Sequence, residues 1–134
     1  MENIETGLAG EFRIMSELIL RGHNPAKSYI DNGIDIILDS GKRIQVKSSK
    51  RNGRRFYRFS LRKGNKKEIV DLATYCDFLI CWGIEEDMFW IIPTNKLKRR
   101  TSLSLSQLPK HRSLYGEYLG NWNLLCKGGE QKSN

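Results

Sequence analysis

The chain has 134 residues and a mass of 15.5 kDa, which suits one compact domain and leaves no room for two full ones. Hydrophobic residues at 39% and aromatics at 10% supply a packed core and argue against wholesale disorder. No apolar run approaches the roughly 18 residues of a membrane span, the acidic start lacks the positive region of a signal peptide, and Cys76, Cys81 and Cys126 form neither a CxxC pair nor an even disulfide set. The expectation is an intracellular, cytoplasmic domain over residues 1–126, with a polar tail at 127–134.

Thr6 to Arg21 is predicted to be helical. Leu8, Phe12, Met15 and Ile19 form an apolar stripe at helical period, and Gly22 and Pro25 are stop signals. Gly33–Asp39 and Arg43–Ser49 read as two β-branched strands joined by the hairpin residues Asp39-Ser40-Gly41. Phe56 to Leu61 alternates as a third strand, with Tyr57, Phe59 and Leu61 on its core face. Asn65 and Glu68 suit the opening of a short helix reaching Tyr75. Phe78–Trp82 and Met88–Ile92 are strands, and Cys76, Cys81, Met88 and Trp90 are candidates for the core or an interface, the core being favoured. Thr94 caps a brief turn, Thr101–Arg112 receives no element, and Tyr115–Leu125 is a last short helix. The order α-β-β-β-α-β-β specifies an α/β (α+β) domain with a mixed sheet flanked by helices.

The formal net charge of +8 is segregated. Lys42 to Lys67 holds 12 Lys and Arg with no acid, and Lys96 to Arg112 holds six more, also without an acid. Such blocks suit a phosphate-backbone partner, although solvated lysine-rich loops have the same composition. Ser48, Ser49, Lys50, Arg51, Arg54, Arg55, Arg58, Arg62, Lys63, Lys66 and Lys67 are the candidate nucleic-acid contacts.

Asp35 interrupts an apolar strand, and Gln45 and Lys47 share one face of the next. A three-residue loop with Gly41 in the left-handed region pairs residue 38 with 42 and brings Asp35 opposite Gln45; a two-residue loop would set Asp35 against Val46. Glu11 lies roughly 40° beyond the edge of the helical stripe at about 100° per residue, within reach of a sheet beneath it. Its alternative role is a solvated acid on the first turn. Two carboxylates and an amide oxygen beside a lysine suit a hard cation such as Mg2+. An Asp35–Lys47 ion pair is the structural alternative, at a high desolvation cost.

On these residues the chain resembles the PD-(D/E)xK nuclease superfamily, through Gly7-Leu-Ala-Gly-Glu11, Gly33-Ile-Asp35-Ile36 and Gln45-Val-Lys47-Ser-Ser49. Ile34 replaces the usual proline and Gln45 the usual acid. A glutamine there, with Phe89-Trp-Ile-Ile-Pro93 and Trp122-Asn-Leu-Leu125, is similar to group I intron-associated homing endonucleases. The helix-borne glutamate and Lys-Ser-Ser are similar to archaeal Holliday-junction resolvases. The resemblance implies a restriction-endonuclease-like core and Mg2+-dependent DNA hydrolysis, with Mn2+ able to substitute. It implies metal ligation by Asp35, Glu11, Gln45 and the Val46 carbonyl, with Lys47 assisting the attacking water. A junction resolvase or RNA-directed nuclease, and a non-catalytic nucleic-acid-binding module on the same fold, are the alternatives, with DNA favoured over RNA as partner. One site in so small a domain cannot easily cut both strands, so a homodimer or higher homo-oligomer is expected.

Overall fold

The computed structural model describes residues 3–29, 33–61, 71–97, 101–108 and 114–126. Helix α1 spans Asn3–Leu20 and is followed by strands β1 (Pro25–Lys27), β2 (Ile36–Leu38), β3 (Arg43–Ser49) and β4 (Phe56–Ser60). After these come β5 (Phe78–Gly83), β6 (Met88–Pro93) and β7 (Ser102–Ser106). The fold is a mixed α+β domain. Its main sheet runs β1-β2-β3-β5-β6, with β3 and β5 parallel and every other pair antiparallel. A separate two-stranded ribbon pairs β4 with β7.

Strand alternation divides the core into two layers. Ile36, Leu38, Ile44, Val46, Phe78, Ile80, Phe89 and Ile91 pack on one side of the sheet with Ile14 and Leu18 of α1, and with Trp122 and Leu125. Leu79, Cys81, Trp90 and Ile92 face the other side, against Tyr57, Phe59, Leu103 and Leu105 of the ribbon. Strands β5 and β6 are therefore covered on both faces, which explains their nearly unbroken apolar sequences.

The third, fourth and fifth expected strands appear as β4, β5 and β6, and Cys76, Cys81 and Trp90 are buried with Met88 packed against them. Several expectations are corrected. Pro25 starts a three-residue edge strand instead of merely ending the helix, a position proline tolerates because one side of β1 has no partner strand. Thr101–Arg112 contains β7: Ser-Leu-Ser-Leu-Ser has period two, and Leu103 and Leu105 are buried although leucine is not β-branched. In place of one helix over Tyr115–Leu125 there are two 3-10 turns, Gly116–Tyr118 and Trp122–Leu125, with a bridge from Leu119 to Trp90 between them. The turn at Thr94–Lys96 exists, but the Thr94 hydroxyl donates to the Cys76 carbonyl at 2.7 Å and does not cap it. Most of the helix expected from Asn65 lies outside the described residues; its end is a 3-10 turn at Leu72–Thr74, capped by the Asp71 carboxylate.

The helix is rotated from the expected stripe by about 130°. Leu8, Phe12 and Ile19 are exposed, and α1 buries Gly10, Ile14 and Leu18. Small residues decide the contact face: a Cβ on Gly10 would sit 1.8 Å from Ser48 Oγ, so glycine lets α1 approach β3 closely. Glu11 is thereby carried half-buried toward the sheet.

Candidate active site

The β2–β3 hairpin has the three-residue geometry. Gly41, at φ +91°, donates to the Leu38 carbonyl at 2.8 Å, and Ile36 pairs with Ile44 and Ile37 with Arg43. The strands then part. Asp35 N–H donates to the Ile44 carbonyl at 2.8 Å, so two successive residues of the first strand lie against Ile44. The Asp35 carboxylate, through Oδ2, accepts the Val46 N–H at 2.7 Å. A side chain thus replaces the next rung of the ladder.

Beyond this point β3 has an open edge. Arg43 and Ser49 turn their carbonyls toward the β5 side, accepting from Asp77 and Ile84. The pleat therefore directs the peptide groups of Val46 and Ser48 to the side that β2 has left. The Val46 carbonyl emerges on the same edge as its N–H, next to Asp35.

Burial pushes the Asp35 carboxyl above the ordinary aspartate value, against the opposing effect of the Val46 N–H. Glu11 adds to the rise, and Lys47 and Lys27 oppose it. All three charges are thus close enough to act on this one carboxylate. Gln45 Oε1 is buried and has no hydrogen-bond donor among the described residues, an expensive state for an amide oxygen. Lys47 lines a cleft of about 340 Å3 between the start of α1 (Thr6, Gly7) and β4 (Phe59, Ser60). An adjoining cleft of about 420 Å3 continues past Ser48, Lys50, Asn52 and Arg58.

Glu11, Lys47 and a further residue, Lys27, all act on the Asp35 carboxylate, and Gln45 precedes on β3 the Val46 N–H that Asp35 holds. The Lys27 ammonium forms a hydrogen-bonded ion pair with Glu11. Its position beside Asp35 follows from β1, where Lys27 pairs with Ile36. Sequence reading missed it because a three-residue strand opened by proline carries no periodic signal. No group of three or more His, Cys, Asp or Glu gathers among the described residues. The oxygens available to a cation are those of Asp35, Glu11, Gln45 and the Val46 carbonyl. A Gln45 oxygen with no donor among the described residues, and a half-buried Asp35 on the neighbouring strand end, are chemically suited to a hard, oxygen-seeking ion.

The expected nucleic-acid contacts divide. Arg51 is taken up internally: its guanidinium holds Glu86 through several hydrogen bonds, and its N–H donates to Glu85 at 2.9 Å. Ser48 faces α1 at Gly10, and the Ser49 hydroxyl donates to the Arg58 carbonyl at 2.8 Å. These three are therefore placed first by internal packing and bonding. Arg54, Arg55 and Arg58 are exposed and meet no carboxylate among the described residues, and Lys50 is exposed beside them. Arg62, Lys63, Lys66 and Lys67 lie outside the described residues.

Among the described residues no helix is long and apolar enough to cross a membrane. No protein-family model matches the chain, and no curated protein matches it. The fold is similar to that of a solved bacterial homing endonuclease, I-Ssp6803I, with a TM-score of 0.74 over 92% of this chain and 91% of that one, at 18% identity. At that identity the likeness is one of overall fold.

Proposed function

We propose that this chain is a Mg2+-dependent DNA endonuclease of the PD-(D/E)xK type, homing-endonuclease-like in its use of glutamine. The observation that carries the reading is the point where β2 leaves β3: a half-buried Asp35 holding the Val46 N–H, a Gln45 oxygen with no donor among the described residues, and Lys47 lining the cleft beyond. The fold likeness to a homing endonuclease supports it.

Asp35, Gln45, the Val46 carbonyl and Glu11 would hold the ion, whose chemistry is to neutralise phosphate charge and acidify bound water. Lys47 supplies a fixed ammonium in the cleft, where it orients the attacking water and offsets negative charge as it builds on the phosphate. Lys27 holds Glu11 in place by its ion pair. Arg54 and Arg55 supply backbone affinity beside the cleft. Two copies of the chain, related by a two-fold axis, would address the two strands of a duplex.

The test is cleavage of supercoiled, linear and four-way-junction DNA with Mg2+, with Mn2+ or with EDTA, beside Lys47→Ala. Metal-dependent cutting of duplex DNA that Lys47→Ala removes is the expected result. Cutting of junctions alone would assign a resolvase. Salt-sensitive binding with no metal-dependent cleavage would reduce the chain to a binding module.

A further inference from the structure

We infer that the β4–β7 ribbon is a sequence-reading element that enters the DNA major groove, with Arg58 and Ser104 contacting base edges and Phe56 packing on thymine methyl groups. The inference rests on DNA as the partner and assigns the base-reading contacts.

The ribbon has two unlike faces. Its inner residues Tyr57, Phe59, Leu103 and Leu105 are at most 1% exposed, and Tyr57 and Phe59 both make ring contacts with Trp90. The ribbon is therefore pinned to the core and presents its outer face in a fixed orientation. On that face Arg58 stands directly opposite Ser104, and Phe56, 38% exposed, stands one step along. With Arg54 these three line a concavity of about 260 Å3.

The dimensions suit one groove. Two strands about 4.8 Å apart fit a major groove roughly 12 Å wide, and a five-residue ribbon about 17 Å long spans some five base-pair steps. The chemistry suits it as well. An arginine fork matches guanine O6 and N7, a serine hydroxyl bonds donors or acceptors on any base, and a phenyl ring suits the thymine methyl. Arg13, Arg43 and Arg51 each hold an acid of the protein, while Arg54 and Arg58 meet none among the described residues. Arg58 and Ser60 also line the cleft that continues toward Lys47, so the bases read would lie close to the phosphate attacked. A double-stranded RNA helix, with its deep and narrow major groove, would exclude such a ribbon.

The experiment selects bound sequences from a randomised DNA duplex library in EDTA, where cleavage plays no part, using wild type, Arg58→Ala, Ser104→Ala and Arg54→Ala. Circular dichroism confirms that each variant is folded. Arg58→Ala is expected to lose discrimination at one or two base pairs by about tenfold to hundredfold while keeping the preferences elsewhere. Ser104→Ala should relax a neighbouring position by a smaller factor. Arg54→Ala should weaken all sequences alike and reduce the slope of log K against log salt by about one. The inference is overturned if wild type selects no sequence, if Arg58→Ala and Ser104→Ala keep the full wild-type base profile, or if duplex RNA binds as tightly as duplex DNA. A chain that selects a sequence in EDTA yet never cuts with Mg2+ would keep the ribbon and lose the nuclease. One that cuts without sequence preference would do the reverse.

Discussion

The β5–β6 turn and the mouth between β2 and β3 are both rich in acids, and their electrostatics are opposite. In the turn every acid has a cation or a set of N–H donors. Asp87 takes the Arg13 guanidinium and the Trp82 indole N–H, Glu86 takes Arg51 and the Tyr57 hydroxyl, and Glu85 accepts the N–H groups of Arg51 and Asn52. All three carboxyls are held below the ordinary value. In the mouth, Asp35 is pushed above it and Gln45 Oε1 has no donor among the described residues. The turn is electrostatically complete and holds α1, the β3–β4 connection and the sheet together. Among the described residues the mouth keeps a raised carboxyl and an amide oxygen without a donor, features that cluster at functional sites.

The largest expected effects test the mouth. Asp35→Ala should abolish cleavage, a loss of about a thousandfold or more, while salt-sensitive DNA binding persists. Loss of folding instead would turn Asp35 into a structural anchor for Val46 and erase the contrast with the turn. Lys47→Ala should lower the cleavage rate by about 10²–10³-fold with DNA affinity nearly unchanged. An equal loss of affinity and rate in a filter-binding and nicking comparison would make Lys47 a simple phosphate contact.

The next effect is on stability and belongs to the turn. A Cβ on Gly83 would lie 2.5 Å from the Tyr57 ring, which is fully buried and tied by its hydroxyl to Glu86. The ring has nowhere to retreat, so Gly83→Ala should cost about 1–3 kcal/mol in urea unfolding. A neutral result would mean that the turn does not hold Tyr57 rigidly.

A paired substitution then sharpens the comparison within one basic block. Arg51→Ala should lower the melting temperature and change DNA affinity little, because its guanidinium is already engaged by Glu86. Arg54→Ala should weaken DNA binding at unchanged melting temperature. The opposite outcome, read by thermal melts and salt-dependent binding, would show that the charge block acts as one surface.

The two arginines also mark where sequence reading stops. Composition places both in the same acid-free block; only the fold brings Glu86, 35 positions from Arg51, to one of them. The hairpin register at Asp39-Ser40-Gly41 was legible from its turn chemistry, but Asp35 lies against Ile44 and not, as expected, opposite Gln45, because the strands part there. Glu11 was legible as a candidate but for an incomplete reason. Its helix packs through Gly10, Ile14 and Leu18, and the larger stripe of Leu8, Phe12 and Ile19 stays exposed. Helical period alone cannot choose between two apolar stripes when the deciding contact is a glycine against Ser48. The strands buried on both faces announced themselves by composition, whereas β1 and β7 are too short or too serine-rich to do so.

The smallest effect separates the two regions by pH. Arg51, and then the Tyr57 hydroxyl, hold the Glu86 carboxyl down at about 2 against an ordinary 4.5. A carboxyl depressed in the folded state contributes stability that is full above its unfolded value and drains away as pH falls toward the folded one. Glu86→Gln should therefore melt lower than wild type at pH 7, and the gap should close as pH falls from about 5 to about 2.5. Asp35 has the opposite sign. Its folded value is raised, so its contribution is present at low pH and is lost as pH rises through the carboxylate range. Asp35→Asn, which keeps an acceptor for the Val46 N–H, should gain on wild type over that same rise in metal-free melts. If both variants changed with pH in the same direction, the division between a completed turn and an unfilled mouth would fail.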